Sequence, residues 1–296
     1  MELTGRRIYV ERVWGATRAL VSAVVICLGL SAGWAAEERP IDVIEDNSFL
    51  IEEAYNQEEG VVQHIFNWQY TSSGGRHGWG FTFTQEWPIF SQAHQFSYTI
   101  PSYHLVDGGE RQYGVGDILL NYRYQALDEG EMLPAFAPRF SLILPTGNRQ
   151  KGTGNNVVGY QWNLPFSKKV ADRLALHANF GLTYLPHVKA PPAATGSAPK
   201  QSLTSYNVGG SAIVALLPRL HFMLEWVGNF DQDFNDAGKR GRWFQSTLSP
   251  GFRTAIVNEE KLQIVAGAAA PIGLNRRTDN IGAFLYFSVE HDFLSK

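Results

Sequence analysis

Trp79-Gly80-Phe81-Thr82-Phe83-Thr84-Gln85-Glu86-Trp87 decides the fold of this chain. Four of its five odd positions are large aromatics, Gln85 being the exception, and its even positions are small or polar. Side chains on a β-strand change face at every residue, so one face of this segment suits hydrocarbon and the other suits water. A soluble sandwich would turn its aromatic face inward; a membrane barrel turns it toward lipid and lines its lumen with the polar set.

The same alternation recurs from Val61 onward in about twelve segments: Val61 to Tyr70, Trp79 to Trp87, His94 to Leu105, Gly116 to Ala126, Phe136 to Leu144, Val157 to Phe166, Leu174 to Leu185, Leu203 to Leu217, His221 to Phe230, Trp243 to Ile256, Leu262 to Leu274 and Ile281 to Phe293. In the fourth, Ile118, Leu120, Tyr122 and Tyr124 face out while Asp117, Asn121, Arg123 and Gln125 face in. The tenth, interrupted by Pro250 and Gly251, and the alanine-rich eleventh carry the weakest pattern, since proline removes a ladder donor and alanine gives little contrast. A tight turn at Pro218-Arg219 joins two of the strands. Longer connections at Thr71 to Gly78, Val106 to Val115, Pro145 to Asn156, Pro186 to Ser202, Asp231 to Arg242 and Asn275 to Asn280 fall at one end, with shorter turns at the other, the asymmetry of outer-membrane barrels. The expected fold is an all-β, transmembrane antiparallel barrel of about 12 strands over residues 61-296, with both termini in the periplasm.

Composition bounds the alternatives. With 296 residues, net charge -3 and 44% hydrophobic residues, the chain lacks the basic surface that nucleic acid requires. No stretch beyond the first forty residues approaches the ~18 uninterrupted apolar residues of a spanning helix, whereas a barrel strand crosses in about 9 to 11, half of them polar. Arg6, Arg7, Arg12 and Arg18 precede the apolar run Ala19 to Leu30, and Gly33-Trp34-Ala35 places small residues at -3 and -1 of a cleavage site. Residues 1-35 are therefore expected to be a cleaved signal peptide. Cys27, the one cysteine, lies inside it, with Ile26 in place of the small residue a lipoprotein site needs, so the mature chain would hold no thiol. Residues 36-60 form an acidic periplasmic segment or plug: Glu37, Glu38, Asp42, Glu45, Asp46, Glu52, Glu53, Glu58 and Glu59 stand against Arg39 alone. It reads either as a solvated leader or as a segment folded into the lumen, where it could meet lumen arginines. Ser48 to Asn56 could make a short helix, with Ser48 as N-cap.

The inward face carries both charge signs. Glu86, Asp117 and Glu225 against Arg123, Arg139 and Arg253 are the candidates for a lumen constriction that selects solutes by charge and size; the bland alternative is a set of salt bridges stiffening a mostly filled barrel. For serine hydrolysis, a serine must reach a histidine oriented by a carboxylate or amide. His64 and His291 share the lipid-facing parity near opposite ends of the strand order, where closure would make them neighbours, but Ser72 and Ser73 lie far along the chain and no Gly-x-Ser-x-Gly occurs. No catalytic residue is assigned. His177 and His221 point inward without an acidic pair to hold a metal, and no cofactor is expected. The loop Pro145 to Gly154 lacks the Gly-Lys-Ser/Thr ending of a phosphate-binding loop.

Four strings, NSFLIEEAYNQEEGVVQH from Asn47, FTQEWP from Phe83, GVGDILLNYRYQ from Gly114 and FSLILPTGNRQKGTGNN from Phe140, resemble the bacterial outer-membrane family of transporters assigned to the MetA pathway of phenol degradation. The resemblance spans most of the mature chain through structural strings at strand ends and loops. It implies a channel for small or hydrophobic solutes and brings no catalytic residues. The expected function is passive passage of small solutes, hydrophobic or aromatic ones among them, across the bacterial outer membrane. Two alternatives stand beside it: a structural or surface-interaction barrel with a closed lumen, and a barrel lipid hydrolase. Expected partners are outer-membrane lipids and lipopolysaccharide, the solutes, and the barrel-assembly machinery during insertion.

Overall fold

The computed structural model describes residues 46-296 except 74-75, 191-199, 236-237, 260, 277, 279-280 and 295-296. The expected signal peptide, Cys27 and residues 36-45 lie outside the described residues. Twelve antiparallel strands close into one barrel: β1 (Val61–Ser73), β2 (Arg76–Ile89), β3 (Ser91–Asp107), β4 in two pieces (Glu110–Val115 and Leu119–Tyr124), β5 in two pieces (Ala135–Phe136 and Arg139–Ile143), β6 (Gly159–Ala171), β7 (Leu174–Lys189), β8 (Lys200–Leu217), β9 (Leu220–Phe234), β10 (Arg240–Glu259), β11 in two pieces (Leu262–Ala269 and Ile272–Gly273) and β12 (Ile281–Asp292). Each strand pairs with its sequence neighbours, and β12 returns to β1 with Val61 opposite Asp292 and Phe66 opposite Phe287. Closure removes the unpaired edges that hydrocarbon could not satisfy. Among the described residues no helix is long and apolar enough to cross a membrane.

The alternation decides which face is which. Trp68, Tyr122, Trp162, Phe180, Tyr206, Trp226 and Phe244 stand outward and exposed, while Gln63, Ser141, Ser249, Glu225 and Arg253 on the opposite parity are buried inside. Outward rings also pack across strands, as Trp68 on Phe81 and Tyr70 on Trp79, both with centroids 4.9 Å apart, which supports the pairing that the pattern sets.

The strands run longer than their sequence signal. The connection expected at Val106 to Val115 is a hairpin closed by Gly108 and Gly109, with φ of 57° and 94°, a backbone shape that favours glycine. The connections expected at 71-78, 186-202 and 231-242 are likewise partly strand, because ladders continue beyond the apolar belt into polar residues that hydropathy alternation does not mark. β10 is the longest strand, at 20 residues, despite Pro250. The proline carbonyl still accepts from the Ala270 amide at 3.0 Å, so only the donor side of the ladder is lost.

Asp46 to Glu59 do not form the short helix expected at Ser48 to Asn56. They run through the lumen without helical turns. Their backbone amides bond to wall side chains: Leu50 and Ile51 to Glu225, Glu52 to Asn179, Ala54 to Ser167, Asn56 to Gln125 and Gln57 to Gln95. Those partners replace the i→i−4 bonds of a helix, and Ser48 spends its hydroxyl on Glu53 at 2.9 Å rather than on a cap. Phe49 anchors an apolar cluster inside the barrel with Ile65, Ile213, Met223, Val265 and Phe284.

Glycines shape the wall for this cluster. A Cβ at Gly267 would overlap the Phe49 ring and lie 2.9 Å from the Phe252 carbonyl, and one at Gly251 would lie 3.0 Å from the same ring. Gly267→Ala is therefore expected to destabilise the packed lumen by about 1–3 kcal/mol through overpacking. Limited proteolysis of the folded barrel should then cut within 46-59. Adding Phe49→Ala should recover barrel stability without restoring protection; protection unchanged in Gly267→Ala would disprove the fit.

Candidate functional site

The site is the contact between the inward segment and the lumen wall, and two charged clusters organise it. In the first, the Glu52 carboxylate meets Arg139 Nε at 2.8 Å, Arg123 at 3.3 Å and the Asn163 amide at 2.7 Å. Arg123 is 3% exposed; it also donates to Asn56 Oδ1 at 2.7 Å and to the carbonyls of Glu53 and Tyr55. Arg139 further donates to Asn121 and Gln161 at 3.1 and 3.2 Å, and to Ser141. In the second cluster Arg253, fully buried, donates to the carbonyls of Asp46 and Asn47 at 2.8 and 3.0 Å and pairs with Glu53 at 3.3 Å. Asp46 accepts from Gln63 at 2.6 Å, Tyr286 at 2.7 Å and Ser288 at 3.1 Å. Buried charges hold such positions only when paired or hydrogen-bonded: Glu52 and Glu53 are paired with arginines, and Asp46 is held by three neutral donors.

Of the six residues expected at a constriction, Arg123, Arg139, Glu225 and Arg253 all bind the segment directly. Glu86 stands one step back: it accepts from Gln95, whose carbonyl in turn accepts from the Gln57 amide. Asp117 is elsewhere, accepting from the Gly147 and Asn155 amides at 2.9 and 2.8 Å and so fixing the 145-156 loop. Sequence reasoning missed the neutral partners Asn163, Asn179, Ser167, Gln95 and Gln125. The acid run at 52-53 facing inward arginines was the one signal available; carboxamides on a polar face carry none.

The histidines fall as closure requires. His64 and His291 stack on the outer face with ring centroids 5.3 Å apart. Ser72 lies eight residues farther along β1, roughly 25 Å at the rise of a strand, out of catalytic reach. Inside, His177 Nδ1 contacts Ser167 Oγ at 2.8 Å, but Nε2 is 3.9 Å from Glu53, too long for a hydrogen bond, and Ser167 Oγ already accepts the Ala54 amide. No group of three or more metal-ligating acids and histidines occurs among the described residues.

Two cavities flank the bend at Leu50 to Glu52. One, of about 300 Å³, is lined by Phe49, Ile65, Leu119 and Tyr286 together with Glu86 and Arg139. The other, of about 430 Å³, is lined mainly by side-chain amides.

At the short-turn end, Tyr55 donates to Glu129 in the β4–β5 turn at 2.7 Å. Burial works to raise the Glu129 pKa, but the Tyr55 hydroxyl, the Lys169 amide and the Lys168 ammonium outweigh it and hold the carboxyl below its usual range. A folded value below the unfolded one stabilises fully above the ordinary value of 4.5 and is lost as pH falls through the lowered folded value. Acidification on that side should thus loosen Tyr55, read as faster proteolysis at the segment's C-terminal end. Glu129→Gln should remove the pH dependence, and a dependence surviving it would exclude this tie.

A solved outer membrane channel from Pseudomonas putida F1 matches with a TM-score of 0.57 at 10% identity, covering 85% of this chain and 100% of that one. The chain has the fold of that channel, a closed barrel of twelve antiparallel strands. The NanC porin aligns over 78% of this chain and 100% of its own at 8% identity and a TM-score of 0.47. The KdgM porin does so over 78% and 99% at 10% identity and 0.46. No family model and no curated protein matches the sequence. At 10% identity the architecture shared with the Pseudomonas putida channel carries over no individual site residue.

Proposed function

We propose that this barrel is a passive outer-membrane channel for small solutes, with residues 46-59 docked in its lumen as a constriction. Residues 1-35 would be its signal peptide. The observation that carries this reading is Glu52, held between Arg123 and Arg139, with open volume on both flanks. A structural strut would not leave two cavities against its central ion pair. Arg123, Arg139, Glu225 and Arg253 then have a specific role, holding the segment that sets the width of the path, while Glu86 contributes charge to the wall of the first cavity. The resemblance to phenol-pathway transporters supports aromatic solutes, and that cavity suits them: Phe49, Ile65, Leu119 and Tyr286 offer apolar contact beside polar groups for a hydroxyl.

The second reading, a filled structural barrel, has the apolar cluster around Phe49 in its favour, because it fills one sector of the lumen with side chains. Planar-bilayer conductance in salt, then with added phenol, separates the two. Conductance that phenol reduces in a saturable way is the expected result. Silence under every condition, including after loss of the segment, would leave the filled barrel standing.

A further inference from the structure

We infer that the amide-lined cavity beside Leu50 to Glu52 is a binding site for a small, uncharged, polyhydroxylated solute of sugar or polyol type. This rests on the channel reading only for how the solute arrives. Six carboxamides converge on it, Gln69, Gln161, Asn163, Asn179, Asn207 and Asn229, in a volume of about 430 Å³, within the usual range of ligand sites.

These amides divide into two groups. Asn163 and Asn179 are committed to Glu52, and Gln161 bridges Arg139 and Thr183. Gln69, Asn207 and Asn229, with the Thr247 hydroxyl beside them, make no side-chain hydrogen bond among the described residues. Asn207 and Asn229 are opposite each other on β8 and β9, so their amides form an adjacent pair on the wall. Gly181, opposite Asn207 on β7, matters here: a Cβ at that position would overlap the Asn207 carboxamide, so the glycine makes the space in which the amide lies.

A free carboxamide offers one acceptor and two donors with no net charge, the complement of a hydroxyl that both donates and accepts. The charges at the cavity floor are already spent on each other, Glu52 against Arg139, so nothing there selects an ion of either sign. An apolar solute filling the space would strand several unpaired amides away from water, and sites built to hydrogen-bond reject ligands lacking the matching groups. The first cavity differs in adding Phe49, Ile65, Leu119 and Tyr286 to a lining that is otherwise mostly polar, so one lumen offers two solute environments on either side of one bend.

The test is ligand-observed NMR on the full mature chain folded in detergent, with sucrose, gluconate and phenol as probes. Sucrose should bind saturably and should not be displaced by phenol. Asn229→Leu should weaken it about tenfold, the cost of roughly one lost hydrogen bond. Thr247→Val, which keeps side-chain shape and strand preference, should weaken it in the same direction and guards against a folding failure of the first variant. Sucrose binding untouched by both substitutions, or phenol or gluconate binding more tightly than sucrose in a manner these substitutions abolish, would overturn the inference. Saturable sucrose binding without conductance would defeat the channel reading alone, and conductance without sucrose binding would defeat this inference alone.

Discussion

Replacing Glu52 with Gln is expected to release the inward segment. The substitution preserves shape but leaves Arg123 and Arg139 facing each other's charge inside the lumen without a carboxylate, and Arg123 has almost no access to water. Removing one partner of a buried ion pair costs about 3 kcal/mol at the low end of measured cases, which is a factor of about a hundred in the docked-to-undocked ratio. In single-channel recordings this should appear as roughly a hundredfold rise in time spent at the higher conductance level. Restoring balance by Arg139→Gln in the same chain should recover part of the loss, because the two positions share one interaction. Unaltered gating in Glu52→Gln would mean that the cluster holds the wall together and not the segment.

Arg253→Met should act on the other end of the segment with comparable size. Arg253 is fully buried and pairs with Glu53 while binding the backbone carbonyls of Asp46 and Asn47. Its loss strands the buried Glu53 carboxylate, a change of about 3–5 kcal/mol. Methionine fills most of the volume, so the effect should be electrostatic, not a cavity. Expected are a lowered unfolding temperature of the barrel in detergent and new protease cleavage near Asp46 to Phe49, while Glu52 keeps the later residues docked. Glu53→Gln in the Arg253→Met chain should return part of the stability. A double variant no better than Arg253→Met would place the cost in the lost carbonyl contacts instead.

Architecture was legible because hydrocarbon outside and water inside force a period of two on every stave, and Trp79 to Trp87 already shows it. Strand count, facing and the meeting of His64 with His291 follow from that period and from closure. The limits of the strands were not legible, since beyond the apolar belt both faces meet water and hairpins such as Asp107 to Glu110 leave no contrast to read. The same reason hid the site's neutral members. Arg123, Arg139, Glu225 and Arg253 stood out as charges on a lumen face, whereas Asn179 or Ser167 resemble any other polar lumen residue until the segment's amides are seen against them. Asp117 shared the parity of the others but not their height: it sits in the break between the two pieces of β4, against the 145-156 loop, a distance along the barrel axis that facing does not encode. The helix suggested by Ser48 to Asn56 failed because local propensity, worth tenths of a kcal/mol per residue, lost to a row of wall acceptors for the same amides.

The most direct test compares planar-bilayer conductance of the mature chain with that of a chain lacking residues 46-59, refolded and recorded side by side in the same salt. The intact chain should pass a small, intermittent current and the shortened one a larger, steady current. Equal currents from the two would contradict a segment that constricts the lumen, and silence from both would contradict a channel.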